Sequence, residues 1–457
     1  MKLPDGPTTP RYLRILRTLQ WIFQPLDVLE ERAQRYGDTF ALGKNRSTPL
    51  IYVSNPEAIR QILTADPEMF ESGRANKPLQ FLLGENSLIL LDGRKHQRQR
   101  RLLMPPFHGE RMRAYGKLIC DITEQVMNQW KMGEPFYVRS AMQEISLRVI
   151  LSAVFGLDKG QRFDQLRQLL SSLLDVIGSP LTSSFLFFPS LQKDLGSWSP
   201  WGRFLRQKQQ INQLLYDEIQ QRREQVDPSG DDILSLLLSA RDEAGQPMTD
   251  EELRDELLTL LFAGHETTAS ALSWALYWTD HLPEVRDRFL SELDTLSPDT
   301  DPTTIARLPY LSAVCQETLR IYPIAINPFP RTLKAPMEMM GYQFEPGTTL
   351  LISIYLTHHR EDIYPEPKRF KPERFLERQF SPYEYLPFGG GNRLCIGMAF
   401  AQYEMKLVLA TILSRYDLKL LDSRPVKPAR RGFTVAPPSS MRMVVKQPRF
   451  QKTPVQL

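Results

Sequence analysis

The chain has 457 residues, 42% of them hydrophobic and 24% charged, with 57 basic residues nearly balanced by 53 acidic ones. That balance excludes binding driven by bulk charge to nucleic acid or to an acidic polymer, and the length permits one large core. Cys120, Cys315 and Cys395 are the only cysteines and lie far apart; they form neither a disulfide framework nor a paired-cysteine zinc site, and they fit a reducing compartment.

In chain order, the first predicted element is a basic amphipathic helix between Tyr12 and Phe23. Packing on the body of the protein is the simpler expectation for it, and contact with a membrane surface is the alternative. The N-terminal sequence lacks both a secretory core and the run of about 20 apolar residues needed to cross a membrane, so a soluble cytoplasmic protein is expected. Short strands follow at "DTFAL" and "LIYV". The run Asp92 to Arg101, "DGRKHQRQRR", is strongly basic and by itself reads as a solvated face.

Thr249 and Glu252 have the spacing of a capping box and should open the longest helix, which continues through "LRDELLTLLFAGHETTASALSWALYW". About 30 residues at 1.5 Å each give roughly 45 Å. Its apolar residues from Leu257 to Trp278 cover nearly every face, as in a helix buried through the middle of a molecule. Polar residues at its centre therefore require a reason. A helix ending at Tyr322-Pro323 places Glu317 and Arg320 on one face, and a third strand is predicted in "GTTLLISIYL" after the turn Glu345-Pro346-Gly347. Without repeats or long linkers, a single domain over 1–457 is the simplest organisation.

The stretch "PFGGGNRLCIGMAF" places Cys395 after Gly389, Gly390 and Gly391 and before a helix expected to open at Ile396. A core cysteine has no need of three glycines, which cost backbone entropy. A thiolate gains from backbone N–H groups turned toward it and from the positive end of a helix. One such thiolate with no second Cys or His nearby suits the axial position of a haem iron.

Phe388, Gly391, Arg393, Cys395 and Gly397 stand at the spacing F-x-x-G-x-R-x-C-x-G, which resembles the haem-binding signature of the cytochrome P450 family. The resemblance extends from about residue 37 to 443, with 1–36 as a lead-in. It implies a mainly α fold with a small β region, the haem lying between the long central helix and the cysteine-loop helix. The cofactor implied is haem b, iron protoporphyrin IX, with Cys395 as the metal ligand. Glu317, Arg320 and Arg374 of "PERF" match a buried structural triad of the family. His96, Arg100, Arg331 and Arg393 match its propionate-binding positions. Ala263, Gly264, Glu266 and Thr267 match its oxygen-activation motif, in which Gly264 leaves room beside the iron while Glu266 and Thr267 serve proton delivery. By the same analogy His265 points away from the iron.

The activity implied is a monooxygenase that inserts one atom of O2 into a hydrophobic substrate, first a fatty acid and otherwise an alkane or terpenoid. A thiolate-haem peroxygenase or isomerase, or a non-catalytic haem sensor, is the alternative. With no flavin or iron–sulfur module in the sequence, electrons should come from ferredoxin and its reductase, or from flavodoxin, and the protein should act as a monomer. The family also places substrate contacts in the segment Phe70–Leu91, after the Glu317 helix and in the tail loop. Ile324, Ala325, Ile326, Phe433 and Val435 are the candidate walls, with core packing as their plain alternative.

Overall fold

A capping box does open the longest helix: the Glu252 N–H donates to Thr249 Oγ1 at 3.2 Å, and the Thr249 N–H donates to Glu252 Oε2 at 2.9 Å. In the computed structural model, which describes residues 3–7, 14–42, 48–107, 109, 111–156, 160–178, 192–224, 232–297, 299–422, 424–432 and 434–449, the elements that position the site are few. They are helices α1 (Arg14–Phe23), α2 (Gly93–Leu103), α3 (Arg111–Met127), α4 (Val138–Phe155), α5 (Asp250–His281), α6 (Pro309–Ile321) and α7 (Met398–Arg415).

Helix α5 runs through the interior and packs along α4 on one side and against α7 and α6 on others. Leu257, Leu261, Leu272, Trp274 and Leu276 are buried around its circumference. Among these apolar contacts its hydroxyls are satisfied locally: Ser270 Oγ donates to the Glu266 carbonyl at 2.8 Å and Ser273 Oγ to the Ala269 carbonyl at 2.7 Å. Back-bonding of this kind lets a helix carry Ser and Thr through a core without orphaned polar groups. Helix α7 is equally apolar, with Leu407, Val408, Leu409 and Ile412 fully buried.

The principal sheet has the order β1–β2–β5–β4–β3, from Thr39–Ala41, Leu50–Val53, Thr349–Ile352, Arg331–Leu333 and Phe70–Glu71. Strand β2 runs parallel to β5, pairing Leu50 with Thr349 and Val53 with Ile352, and the other neighbours are antiparallel. The run expected as one strand in "GTTLLISIYL" ends at Ile352, because Ser353 starts a helical turn, Ile354–His358, and its Oγ accepts from the Leu356 N–H at 3.3 Å. A tail hairpin pairs β6 (Ala429–Arg431) with β7 (Thr434–Ala436).

Helix α1 packs on the body of the protein by one face. Ile22 is buried and Trp21 meets Tyr52 edge-on at 6.2 Å, whereas Leu16, Leu19 and Phe23 are exposed. Among the described residues no helix is long and apolar enough to cross a membrane.

Candidate active site

The cysteine loop is shaped by its glycines. Gly389 and Gly391 hold φ of 72° and 63°, in the left-handed region where a Cβ is penalised, and a Cβ on Gly391 would also stand 2.9 Å from the Leu63 carbonyl oxygen. The loop closes when the Cys395 N–H donates to the Phe388 carbonyl at 3.0 Å. Helix α7 starts at Met398 with Gly397 as its cap, two residues later than the opening expected at Ile396. The Gly397 N–H favours the thiolate form of Cys395.

Cys395 presents accessible surface, and so does Ala263 on the otherwise buried α5. Burial still pushes the Cys395 thiol up, opposed by the Gly397 N–H and by Arg100. The sulfur is thus surrounded by protein while bordering an internal space. A Cβ added to Gly397 would meet nothing within 4 Å. The chemistry of the neighbourhood fits a haem: one thiol in a donor-lined loop, room beside it, and a helix with an exposed small residue.

Four basic residues converge next to it. His96 is buried and its pKa is pushed down to about 3, first by burial and then by Arg393 and Arg100. Arg331 is pushed down to about 10 by burial and by Arg393. Arg331 donates to Asn392 Oδ1 at 2.9 Å and to the Gly390 carbonyl at 3.0 Å, while Arg100 donates to the Leu394 carbonyl at 2.8 Å. Arg393 pairs with Asp92 at 2.6 Å and donates to the Leu88 carbonyl at 3.1 Å. Like charges buried together raise one another's cost, which an arriving anion relieves. Two propionates would do so, with His96 acting as a neutral hydrogen-bonding group.

The Glu317 carboxylate takes three partners: Arg320 at 2.6 Å, Arg374 at 3.1 Å and the Lys371 N–H at 2.8 Å. Arg320 also donates to the His358 carbonyl at 2.8 Å. Glu317 and Arg320 have no exposed side-chain surface. The pair is therefore a buried network and not the surface pair that its spacing alone permits.

At the centre of α5, Thr267 Oγ1 donates to the Ala263 carbonyl at 2.5 Å. Gly264 lies against α4: its carbonyl is 3.4 Å from Ser146 Oγ, and a Cβ there would stand 3.1 Å from Ile150 Cδ1. Glu266 is held on the α4 side, ion-paired with the buried Arg139 and accepting from Gln143 Nε2 at 3.0 Å. Arg431 Nε stands 3.8 Å from the same carboxylate. His265 is buried, with its pKa pushed down to about 3 by burial and Arg139.

Residues 4–444 match the family described as Cytochrome P450. The chain is 36% identical over 450 residues to a Mycobacterium tuberculosis protein named Putative cytochrome P450 135B1, covering 98% of this chain and 92% of the relative. It is 34% identical to Putative cytochrome P450 135A1 of the same species, covering 95% and 93%. A solved structure, retinoic acid bound cyanobacterial CYP120A1, superposes with a TM-score of 0.83 at 26% identity, covering 97% of this chain and 99% of that one. The chain belongs to the cytochrome P450 family. It is a P450 monooxygenase, an oxidoreductase whose cofactor, by family, is haem.

The substrate-wall candidates of this P450 come from two segments that the fold joins, since the Val435 N–H donates to the Ile324 carbonyl at 2.8 Å. Ile326 and Val435 are buried in a cluster with Phe40 and Tyr52, Ile324 is buried in the main core, and Ala325 is half-buried. Phe433 lies outside the described residues. Sequence reasoning missed Arg139 and Arg431 at the carboxylate of Glu266. Arg139 carries no local signal in "YVRSAM", whereas "RRG" at 430–432 could have been noticed as charge inside a segment read as apolar walls.

Proposed function

We propose that this P450 hydroxylates an apolar chain that carries a carboxylate, a fatty acid being the first candidate, with electrons from ferredoxin and its reductase or from flavodoxin. The observation that carries the reading is the tail hairpin: its Val435 joins the apolar segment Ile324–Ile326, and directly across the hairpin from Val435 sits the half-buried Arg430, whose pKa is pushed down to about 10 by burial. An apolar wall next to a guanidinium matches an acyl chain with a charged end. The related cyanobacterial protein was solved with retinoic acid, which has the same combination of features.

In this reading Cys395 is the iron ligand, and His96, Arg100, Arg331 and Arg393 hold the propionates. A thiolate-bound haem supplies the activation of dioxygen and the transfer of one oxygen atom to a C–H bond. The chain's own contribution is positioning and protons. Thr267 holds a water or a substrate oxygen at the centre of α5, and Glu266 relays protons toward it. The exposed face of α1 supports a peripheral contact with a membrane surface, and a monomer is expected.

The test is a spectral titration of the purified holoprotein with laurate, a sesquiterpene and a small sugar, followed by product analysis with a ferredoxin donor. Laurate should shift the haem spectrum and yield a hydroxylated acid. A response to the sugar alone would overturn the substrate class. Cys395→His should abolish the long-wavelength band of the reduced carbon monoxide complex, and its survival would remove Cys395 as ligand.

A further inference from the structure

The carboxylate of Glu266 is held from two directions. Arg139 and Gln143 belong to α4, whose packing against α5 is extensive and apolar, so that side of the clamp is fixed. Arg431 comes instead from the tail hairpin, with its Nε 3.8 Å from Glu266 Oε1. That distance allows strong Coulomb attraction but no hydrogen bond, so it is sensitive to small movements of the hairpin.

Three further observations place this arginine. It pairs with Thr434 across the hairpin, and Thr434 Oγ1 donates to the Arg431 carbonyl at 3.0 Å. The next residue, Val435, is joined to the candidate substrate wall through Ile324. On the other side, helix Gln161–Gly178 ends at a glycine on which a Cβ would stand 2.9 Å from Arg431 Nη2. No left-handed φ requires glycine there; its missing side chain makes room for the guanidinium, and the negative end of the helix dipole favours a cation.

A polar cavity of about 320 Å³ adjoins the group, lined among others by Arg139, Gln143, Glu144, His265, Arg431 and Ser439. Its size and donors suit water molecules. The charged groups around it are Arg139, Arg431 and Glu144, the last paired with Arg167 at 3.1 Å, while His265 is neutral over the physiological range.

We propose that Arg431 is a positioning residue for Glu266, through which the tail hairpin beside the substrate wall sets how readily that carboxyl gives up and regains its proton. Glu266 releases a proton toward the Thr267 side, the two arginines stabilise the carboxylate left behind, and water in the polar cavity returns the proton. The net proton comes from solvent, and no electron passes through these residues. The proposal rests on the reading of Glu266 as the proton relay.

The experiment follows the Glu266 carboxyl stretch by infrared difference spectroscopy on the resting holoprotein, assigned by its loss in Glu266→Gln, and titrates it with pH. Removing a cation at this distance should raise proton affinity about tenfold in Arg431→Gln. Arg431→Lys should restore most of the shift. Thr434→Val, which cuts the hairpin's bond to Arg431 without touching the charge, should move the midpoint in the same direction by less. An unchanged midpoint in Arg431→Gln overturns the proposal, as does a shift that Arg431→Lys fails to reverse. Product formed per NAD(P)H is measured separately in Glu266→Gln: if it equals that of the wild type, the relay reading fails, whereas the infrared midpoint still decides whether Arg431 positions the carboxyl.

Discussion

Thr267 and Glu266 are adjacent in sequence and bonded in different directions, one back along its own helix to the Ala263 carbonyl and the other across to Arg139. Separate tasks follow. Thr267→Ala deletes a hydroxyl that is satisfied within the helix, so folding and haem uptake should survive, while product per NAD(P)H should drop several-fold and hydrogen peroxide should rise as organised proton delivery is lost. Coupling equal to the wild type would remove Thr267 from the chemistry. At this scale the sequence was most readable where a residue's neighbours are also its partners in space, as with Cys395, Gly391 and Gly397. It was least readable for Arg139 and Arg431, whose partner Glu266 is remote along the chain and whose role exists only once α4 and the hairpin have packed.

Among the elements, α5 was legible at its start because a capping box is a local code, and along its length because apolar residues on every face leave only the interior for it. Thr249→Ala should lower unfolding stability by about 1 kcal/mol, since it removes one hydrogen bond to a first-turn N–H and leaves Glu252 reaching alone. Chemical denaturation of the two holoproteins checks this, and an unchanged midpoint would show that tertiary packing alone fixes the helix start. The strands were harder to read. Most are three or four residues long, too short for alternation to stand out, and "GTTLLISIYL" looked like one strand because nothing before packing shows that Ser353 will cap a helical turn. The first turn of α7 shifted for a related reason: Gly397 can serve as a loop residue or as a cap, and the sulfur's need for an N–H decides between them.

For the whole molecule, several buried titrating groups act together on stability. His265 and His359 have pKa values pushed down to about 3 and His358 lies well below its ordinary value, in each case chiefly by burial. Between pH 3 and the ordinary histidine value of 6.5 the unfolded chain therefore binds more protons than the native one, and stability rises with pH. Glu404 is pushed up to about 8 and Glu256 well above its ordinary range, again by burial. From 4.5 to about 8 the native Glu404 carboxyl holds a proton that the unfolded chain has released, and Glu256 acts in the same direction, so their contribution is lost as pH rises. Below 6.5 these histidines, together with His96, which burial depresses in the same way, outweigh the two acids, and above it only the acids act. Thermal unfolding of the holoprotein should therefore be highest near pH 6.5 and fall toward pH 8, at a slope of up to about 1.4 kcal/mol per pH unit for each acid. Glu404→Gln should flatten the alkaline limb, and a flat wild-type curve from pH 6.5 to 8 would refute the assignment. The fold class could be read from the sequence because the cysteine-loop signature resembles that of a known family and the Glu317, Arg374 and central-helix motifs match it as well. The buried acids could not, because nothing local sets Glu256 or Glu404 apart from the other polar residues of their helices before those helices pack.

The bonds of Glu317 to Arg320, Arg374 and the Lys371 N–H also bear on inheritance. A buried carboxylate with two guanidinium partners does not tolerate loss of one partner at a time, because each single change strands a charge at a cost of about 3–5 kcal/mol. The stretch from Glu317 to Arg374 is therefore expected to be inherited as a linked block, each intermediate sequence losing a large part of the fold's stability. When genes of this family recombine, crossovers within that block are penalised unless both parents carry the same three residues, whereas exchanges in the hairpin that carries Arg431 leave the block whole and become the cheap route to new specificity.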